Sequence, residues 1–247
     1  MRLTVVGSGD AFGSGGRFNT CFFLETAKAN VLVDFGASSP VAMKVRGIDH
    51  GRVDAIILSH LHGDHFCGLP FLLLDAQHLS RRTRPLVIAG PPGTRTRLDQ
   101  AMEVMFPRSS GTKWRFPWHV VEIEPGTPSD VVGLTVTSTE VVHQSGAPST
   151  ALRLSDGASL FSYSGDTEWT EALISVADGA ALFICECYGY AGRMTGHMSW
   201  EILKSRLPDL RAERIMLTHM NPDVLARVEE IASSGVLIAE DGKVLEF

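Results

Sequence analysis

The amino-acid sequence predicts an α/β fold: mixed β-sheets with helices on their outer faces. Three observations carry this. Short apolar or β-branched runs recur along the chain, as strands do. The early runs follow one another in hairpin-like succession, whereas later ones alternate with helical candidates. Hydrophobic residues make up 44% of the 247 residues, an ordinary globular supply.

Taken in order, Leu3–Val6, Cys21–Leu24 and Val31–Val33 are the first strand candidates. Pro40–Arg46 follows as a helix, with proline in its first turn where the missing N–H does no harm. Ala55–Leu58 is a short, partly β-branched run that reads as a buried strand. Then come a helix over Phe66–His78, a strand over Leu86–Ala89 and a helix over Gly93–Met105. Pro107 to Pro128 carries turn signals and the aromatics Trp114, Phe116 and Trp118, and reads as a loop joining two halves, with the strand-like Val120–Ile123 near its end. Beyond it, strands are expected at Leu134–Thr137, Ser159–Tyr163, Ala181–Ile184, Arg214–Leu217 and Val236–Ile238. Helices are expected at Glu168–Ala177, Ser199–Leu207 and Asp223–Ala232. No repeat or long linker interrupts this order, so one domain over residues 1–247 is expected.

No apolar stretch approaches the ~18 residues that cross a bilayer. The start, Met1 to Gly7, runs straight into a strand without a signal peptide's apolar region. A soluble, cytoplasmic protein with no membrane partner is the expectation. Cys21, Cys67, Cys185 and Cys187 form no C-x-x-C pair and read as reduced, buried thiols. Net charge is −6, yet Arg81 to Arg115 holds eight basic residues against Asp99 and Glu103. That segment is either a solvated face or a positive rim that steers an anionic substrate.

The most informative residues are His60-Leu61-His62-Gly63-Asp64-His65, directly after the strand candidate Ala55–Leu58. Three imidazoles and a carboxylate gathered beside a core are costly unless something binds them. In an extended segment His60 and His62 project to one side. Gly63 then lets the chain turn before Asp64 and His65. Imidazole nitrogens and carboxylate oxygens suit zinc, and manganese or iron accept the same ligand types.

Other strand ends repeat the pattern. Glu140-Val141-Val142 leads to His143, Phe161–Ser164 leads through Gly165 to Asp166, and Ile215–Thr218 leads to His219. The glycine loop Gly7-Ser8-Gly9-Asp10-Ala11-Phe12-Gly13 is no dinucleotide fingerprint, since a strand and not a helix follows it. It turns a hairpin or brings backbone amides near the site.

With His60, His62, Asp64, His65, His143, Asp166 in Gly-Asp-Thr and His219, the chain resembles the metallo-β-lactamase fold superfamily. The resemblance implies a four-layer αββα sandwich with the site along one sheet edge. It implies two Zn²⁺ ions: His60, His62 and His143 on the first, Asp64, His65 and His219 on the second, and Asp166 bridging both. The bridging aspartate argues against true β-lactamases, whereas glyoxalase II is similar in all of these ligands. Gly196-His197-Met198-Ser199 is similar to the motif of ribonuclease Z and related phosphodiesterases. There the histidine serves the leaving group as an acid, and Glu186 matches the acidic residue that orients it. Ribonuclease Z carries a tRNA-gripping arm between the positions of His143 and Asp166. Here 22 residues separate them and read as a plain hairpin, so the chain resembles the armless relatives and tRNA is not expected as a substrate.

The expected function is a dinuclear zinc phosphodiesterase acting on an anionic small molecule or nucleotide. Asp64, His197 and Glu186 are its catalytic candidates, and the resemblance allows a homodimer. A metal-dependent hydrolase of a thioester, lactone or sulfate ester shares the same ligands. A metal-containing binding domain without turnover is the non-enzymatic alternative.

Overall fold

In strand after strand, alternate side chains feed two different cores, and that period-two burial builds the fold. The computed structural model describes residues Met1–Phe247. The first seven strands are β1 (Arg2–Gly7), β2 (Cys21–Glu25), β3 (Asn30–Val33), β4 (Ala55–Ile57), β5 (Leu86–Gly90), β6 (Trp118–Glu122) and β7 (Ser129–Val131). The remaining seven are β8 (Leu134–Glu140), β9 (Thr150–Ser155), β10 (Leu160–Tyr163), β11 (Leu182–Glu186), β12 (Ile215–Thr218), β13 (Leu237–Ile238) and β14 (Val244–Glu246). They form two seven-stranded sheets, ordered β14-β1-β2-β3-β4-β5-β6 and β13-β12-β11-β10-β9-β8-β7. Each sheet is antiparallel in one half and parallel in the other. In the first sheet β3 to β6 run parallel, and in the second β10 to β13 do.

Parallel neighbours need crossovers, and the helices supply them. They are α1 (Ser39–Val45), α2 (Gly63–Phe66), α3 (Leu69–Leu74), α4 (Thr94–Met105), α5 (Ala172–Ala177), α6 (Trp200–Arg206), α7 (Pro222–Leu225) and α8 (Val228–Ala232). Leu3, Val5, Phe22, Val31, Val33 and Ile57 meet Val136, Leu152, Phe161 and Ile184 between the sheets. The intervening Phe23, Leu32, Ile56 and Ile88 pack outward on Met43 of α1, Leu72 and Leu73 of α3, and Leu98 of α4. On the far side Phe183, Cys185 and Leu217 pack on Val176, Trp200, Leu203 and Ile231. The layers are therefore αββα. No helix is long and apolar enough to cross a membrane.

Some elements differ from expectation. The helix expected over Phe66–His78 breaks into α2, α3 and a π turn over Asp75–Leu79. Pro70 lacks the N–H that a continuous helix would donate to residue 66, so the chain restarts with proline in a new first turn. The helix expected from Glu168 begins at Ala172; the Glu168 backbone N–H is bonded to the Val142 carbonyl at 3.0 Å, which ties the preceding chain to another strand end. Within the segment Pro107–Pro128 the strand expected at Val120–Ile123 is present as β6 but runs from Trp118 to Glu122, its earlier start set by pairing with β5. Strand β9, absent from the expected set, hides its alternation behind Arg153, which reaches the carbonyls of Ser175, Val176 and Asp178.

The basic segment is partly internal. Arg82 is 6% exposed. Its guanidinium donates to the carbonyls of Arg84, His50, Val53 and Pro85. Arg84 is paired with Asp54, and Arg95 with Asp99. Arg82 thus staples loops together from inside, whereas Arg81, Arg84 and Arg95 are exposed. Arg82→Ala strands buried carbonyls, each a real loss, and should lower stability by about 3 kcal/mol. A urea unfolding midpoint reads this; an unchanged midpoint would contradict it.

Candidate metal centre

The chemistry-bearing side chains sit beyond the C-terminal ends of strands, where an open α/β sheet leaves a crevice. His60 lies two residues beyond Leu58, and His62 precedes α2, whose first turn carries Asp64 and His65. His143 follows β8, Asp166 follows β10, Glu186 ends β11 and His219 directly follows β12. Gly165 is what brings β10 close enough. Its φ is +60°, and a Cβ there would lie 2.6 Å from the Thr150 carbonyl oxygen. Only glycine accepts both conditions.

The fold brings all seven expected ligand residues together, in two groups. His60, His62 and His143 form one; Asp64, His65, Asp166 and His219 form the other. His62 Nδ1 faces His143 Nε2 at 2.9 Å. Asp64 Oδ2 is 3.2 Å from both His65 Nε2 and His219 Nε2. Asp166 Oδ2 stands between the groups, 3.3 Å from His65, 3.4 Å from His219, 3.8 Å from His60 and 4.0 Å from His143.

Whether cations fit here is answered by what the donors lack. His60 Nε2, His65 Nε2 and Asp166 Oδ1 are buried without any hydrogen-bond partner. A buried polar atom left so costs about 1–3 kcal/mol. Their other atoms, by contrast, are tied down. His65 Nδ1 donates to Asp34 Oδ2 at 2.7 Å, and His143 Nδ1 donates to the Gly196 carbonyl at 2.6 Å. His60 Nδ1 meets Ser59 Oγ at 3.0 Å, while that hydroxyl donates to Asp34 Oδ2 at 2.8 Å. These bonds place the ring protons on Nδ1 and turn the Nε2 lone pairs of all three histidines into the cleft. The donor set fits divalent cations.

Without a cation, protons take its place. Burial opposes charge on His65, but Asp166, Asp64 and Asp34 outweigh it and hold the imidazole well above its usual pKa. Burial likewise opposes charge on His219, and the Asp166 charge with the Asp64 hydrogen bond lifts it to about 9. Burial would raise the Asp166 carboxyl; the charges on His219 and His65 hold it well below the carboxylate range. His60 goes the other way, pushed down by burial and by His65. Cations need neutral imidazoles. Loading at pH 7 should therefore release protons, and affinity should rise with pH through the raised pKa values of His219 and His65. Calorimetric titration in two buffers of different ionisation enthalpy checks this. Identical heats would show that no proton leaves.

Asp34 was not among the expected site residues. It is buried, its φ is +57°, and it accepts from Ser59 N (2.7 Å), Ser59 Oγ and His65. The signal was present, since Val31-Leu32-Val33-Asp34 is another apolar strand ending in a ligand-type residue. Glu168 was also missed. It accepts from Gly196 N at 3.0 Å and pairs with Arg193, holding the segment that carries His197.

Glu186 is fully buried. Its Oε1 accepts from Thr167 N at 2.7 Å and from His197 Nδ1 at 2.9 Å, and its Oε2 accepts from Tyr188 N at 3.1 Å. Burial raises its pKa, against the His197 bond. For His197, burial is the depressing influence, outweighed by the hydrogen bond and charge of Glu186, so its pKa is raised. The cleft is about 440 Å³ and is bordered by Phe12, His62, Asp64, Asp166, Tyr188, His197 and His219. His50 lies outside it, bonded to Asp75 at 2.8 Å.

This sandwich with its clustered imidazoles and carboxylates defines a metallo-hydrolase of the metallo-β-lactamase fold. The family model described as "Anti-Pycsar protein Apyc1" matches residues 1–242, and the chain belongs to that family. It is 25% identical over 260 residues to "Probable metallo-hydrolase YhfI" of Bacillus subtilis (strain 168), covering 100% of both chains. It is 38% identical over 91 residues to a ribonuclease Z of Agathobacter rectalis, which is 37% of this chain and 29% of that protein. The chain thus spans less than a third of that relative. Human tRNase Z, short form, superposes with a TM-score of 0.79 at 24% identity, over 100% of this chain and 99% of the other.

Proposed function

We propose that this protein is a dinuclear zinc phosphodiesterase whose substrate is a small anionic or nucleotide phosphodiester. The observation that carries the reading is the pairing of His197 with buried Glu186 on the wall of the donor cleft. A thioester hydrolase, which expels a weakly basic thiolate, has less need of such an acid. An alkoxide leaving phosphorus is a strong base and gains from one.

His60, His62 and His143 would hold the first ion, Asp64, His65 and His219 the second, and Asp166 both. When bound, such ions activate water and neutralise charge growing on phosphoryl oxygens. The protein's own groups do the rest. Asp34 and Gly196 fix the tautomers of His65 and His143. Asp64 lines the cleft, where it can also orient the attacking water. His197, with Nδ1 bound to Glu186, keeps Nε2 to protonate the departing oxygen. The span from His143 to Asp166 is occupied by the hairpin of β9 and β10. That compact hairpin and the cleft's modest volume support a small substrate rather than tRNA.

Zinc-loaded protein should be tested on bis(p-nitrophenyl) phosphate, a lactone, an aryl sulfate and a thioester. Phosphodiester turnover should dominate. Preference for any of the other three would overturn the proposal, and inertness toward all four would favour a binding domain.

A further inference from the structure

The glycine loop between β1 and β2 takes no part in holding cations, yet it delivers a phenyl ring to them. Phe12 is 81% exposed and borders the same cleft as Asp64, Asp166, His197 and His219. A lone exposed phenylalanine is ordinary on a protein surface. This one sits on a loop braced to keep it out. Asp10 is fully buried beneath it. Its Oδ1 accepts the backbone N–H groups of Phe12 at 3.1 Å and Ser14 at 2.9 Å, and its Oδ2 accepts the Ser14 hydroxyl at 2.7 Å. Asp241 clamps the loop's two stems through Ser8 N (2.8 Å) and Phe18 N (2.9 Å). The backbone under Phe12 is thus tied down from both sides, while the ring remains exposed to solvent.

A second aromatic borders the same space. The Tyr188 ring lies 4.8 Å from the His197 ring and is tilted by 35°. The cleft therefore combines charged donors with two aromatic side chains, of which Phe12 is the one with an open face. A phosphodiester seated at the donors carries its substituents into this space. An open aromatic face favours planar rings, because stacking adds to burial and tolerates any ring with a π-surface.

We propose that Phe12 is a specificity-determining residue of this site, a stacking platform for a planar ring carried by the phosphodiester substrate. The proposal rests on the phosphodiesterase reading and says which phosphodiesters the site prefers. Its probes are thymidine 5′-(p-nitrophenyl phosphate) and methyl p-nitrophenyl phosphate. They share a leaving group and differ in whether the retained substituent bears a planar ring. Wild-type protein should favour the thymidine ester in kcat/KM. Phe12→Ala should reduce that preference by about tenfold, chiefly through KM of the thymidine ester. Phe12→Trp should keep the preference, and Phe12→Leu, which retains apolar bulk without a π-face, should lose it. An unchanged preference in Phe12→Ala, or a preference retained by Phe12→Leu, overturns the proposal and leaves the phosphodiesterase reading standing. A wild-type protein that hydrolyses neither ester brings both down together.

Discussion

His197→Ala should lower turnover of an alkyl phosphodiester by about 10²–10⁴-fold while the bound metal content stays at its wild-type value. The magnitude follows from the job proposed for the ring. An alkoxide is a poor leaving group, and a positioned imidazolium removes the need to expel it as an anion. A p-nitrophenolate leaves readily without help, so the same variant should be far less impaired on a nitrophenyl ester. The pH profile supplies a second check. His197 must be protonated to act, so kcat should fall as pH rises through its raised pKa. Burial depresses that pKa, and Glu186 more than restores it. Glu186→Gln keeps the shape and removes the charge, so the alkaline limb should move to lower pH. There is a physical alternative, because His197 also lies within donor distance of His143 and Asp166. If metal and activity disappear in equal measure, His197 belongs to the cage and is not the acid.

The parts of this protein that were legible in the sequence are those where chemistry coincides with local pattern. His60 to His65 is a contiguous signal on a strand end. His143, Asp166 and His219 are legible once that signal sets the rule, because each closes an apolar run. The two-sheet architecture follows from period-two burial, which Val31–Val33 and Ala55–Leu58 show as unbroken apolar runs since both of their faces are covered. What was not legible depends on distant partners. Strand β6 was legible only in part: Val120–Ile123 marks it, but its start at Trp118 depends on the register with β5, from Leu86↔Trp118 to Gly90↔Glu122. Arg82 looks like one more basic residue until the carbonyls of His50 and Val53 close around it. Asp34 closes an apolar run as the ligands do, but only its position in the sequence was legible and not its role. Its role exists only because Ser59 and His65 fold back onto it.

Asp34→Asn should weaken cation binding by about 10–100-fold, the usual loss when a ligating histidine forfeits its supporting carboxylate. Asparagine is the sharper probe than alanine, because Asp34 holds a φ of +57°, which asparagine tolerates and alanine does not. The amide oxygen can still accept from Ser59 N, which keeps the turn. The amide NH₂ cannot accept the Nδ1 proton of His65 that the carboxylate accepts at 2.7 Å. His65 is then free to carry its proton on Nε2, the atom that must face the cation, and its charge beside Asp166 loses one of the carboxylates that sustain it. The loss should therefore appear in the cation dissociation constant, measured by competition with a chromogenic chelator, in addition to a lower unfolding midpoint of the metal-free protein, where buried Asp34 supports His65. Because Asp34 touches no substrate, saturating zinc should return kcat to near the wild-type value. An unchanged dissociation constant would show that His65 needs no such anchor. A kcat that stays low at full loading would mean that Asp34 acts on the reaction itself, through the paired tethers to His60 and His65, by setting the orientation of the site rather than its affinity.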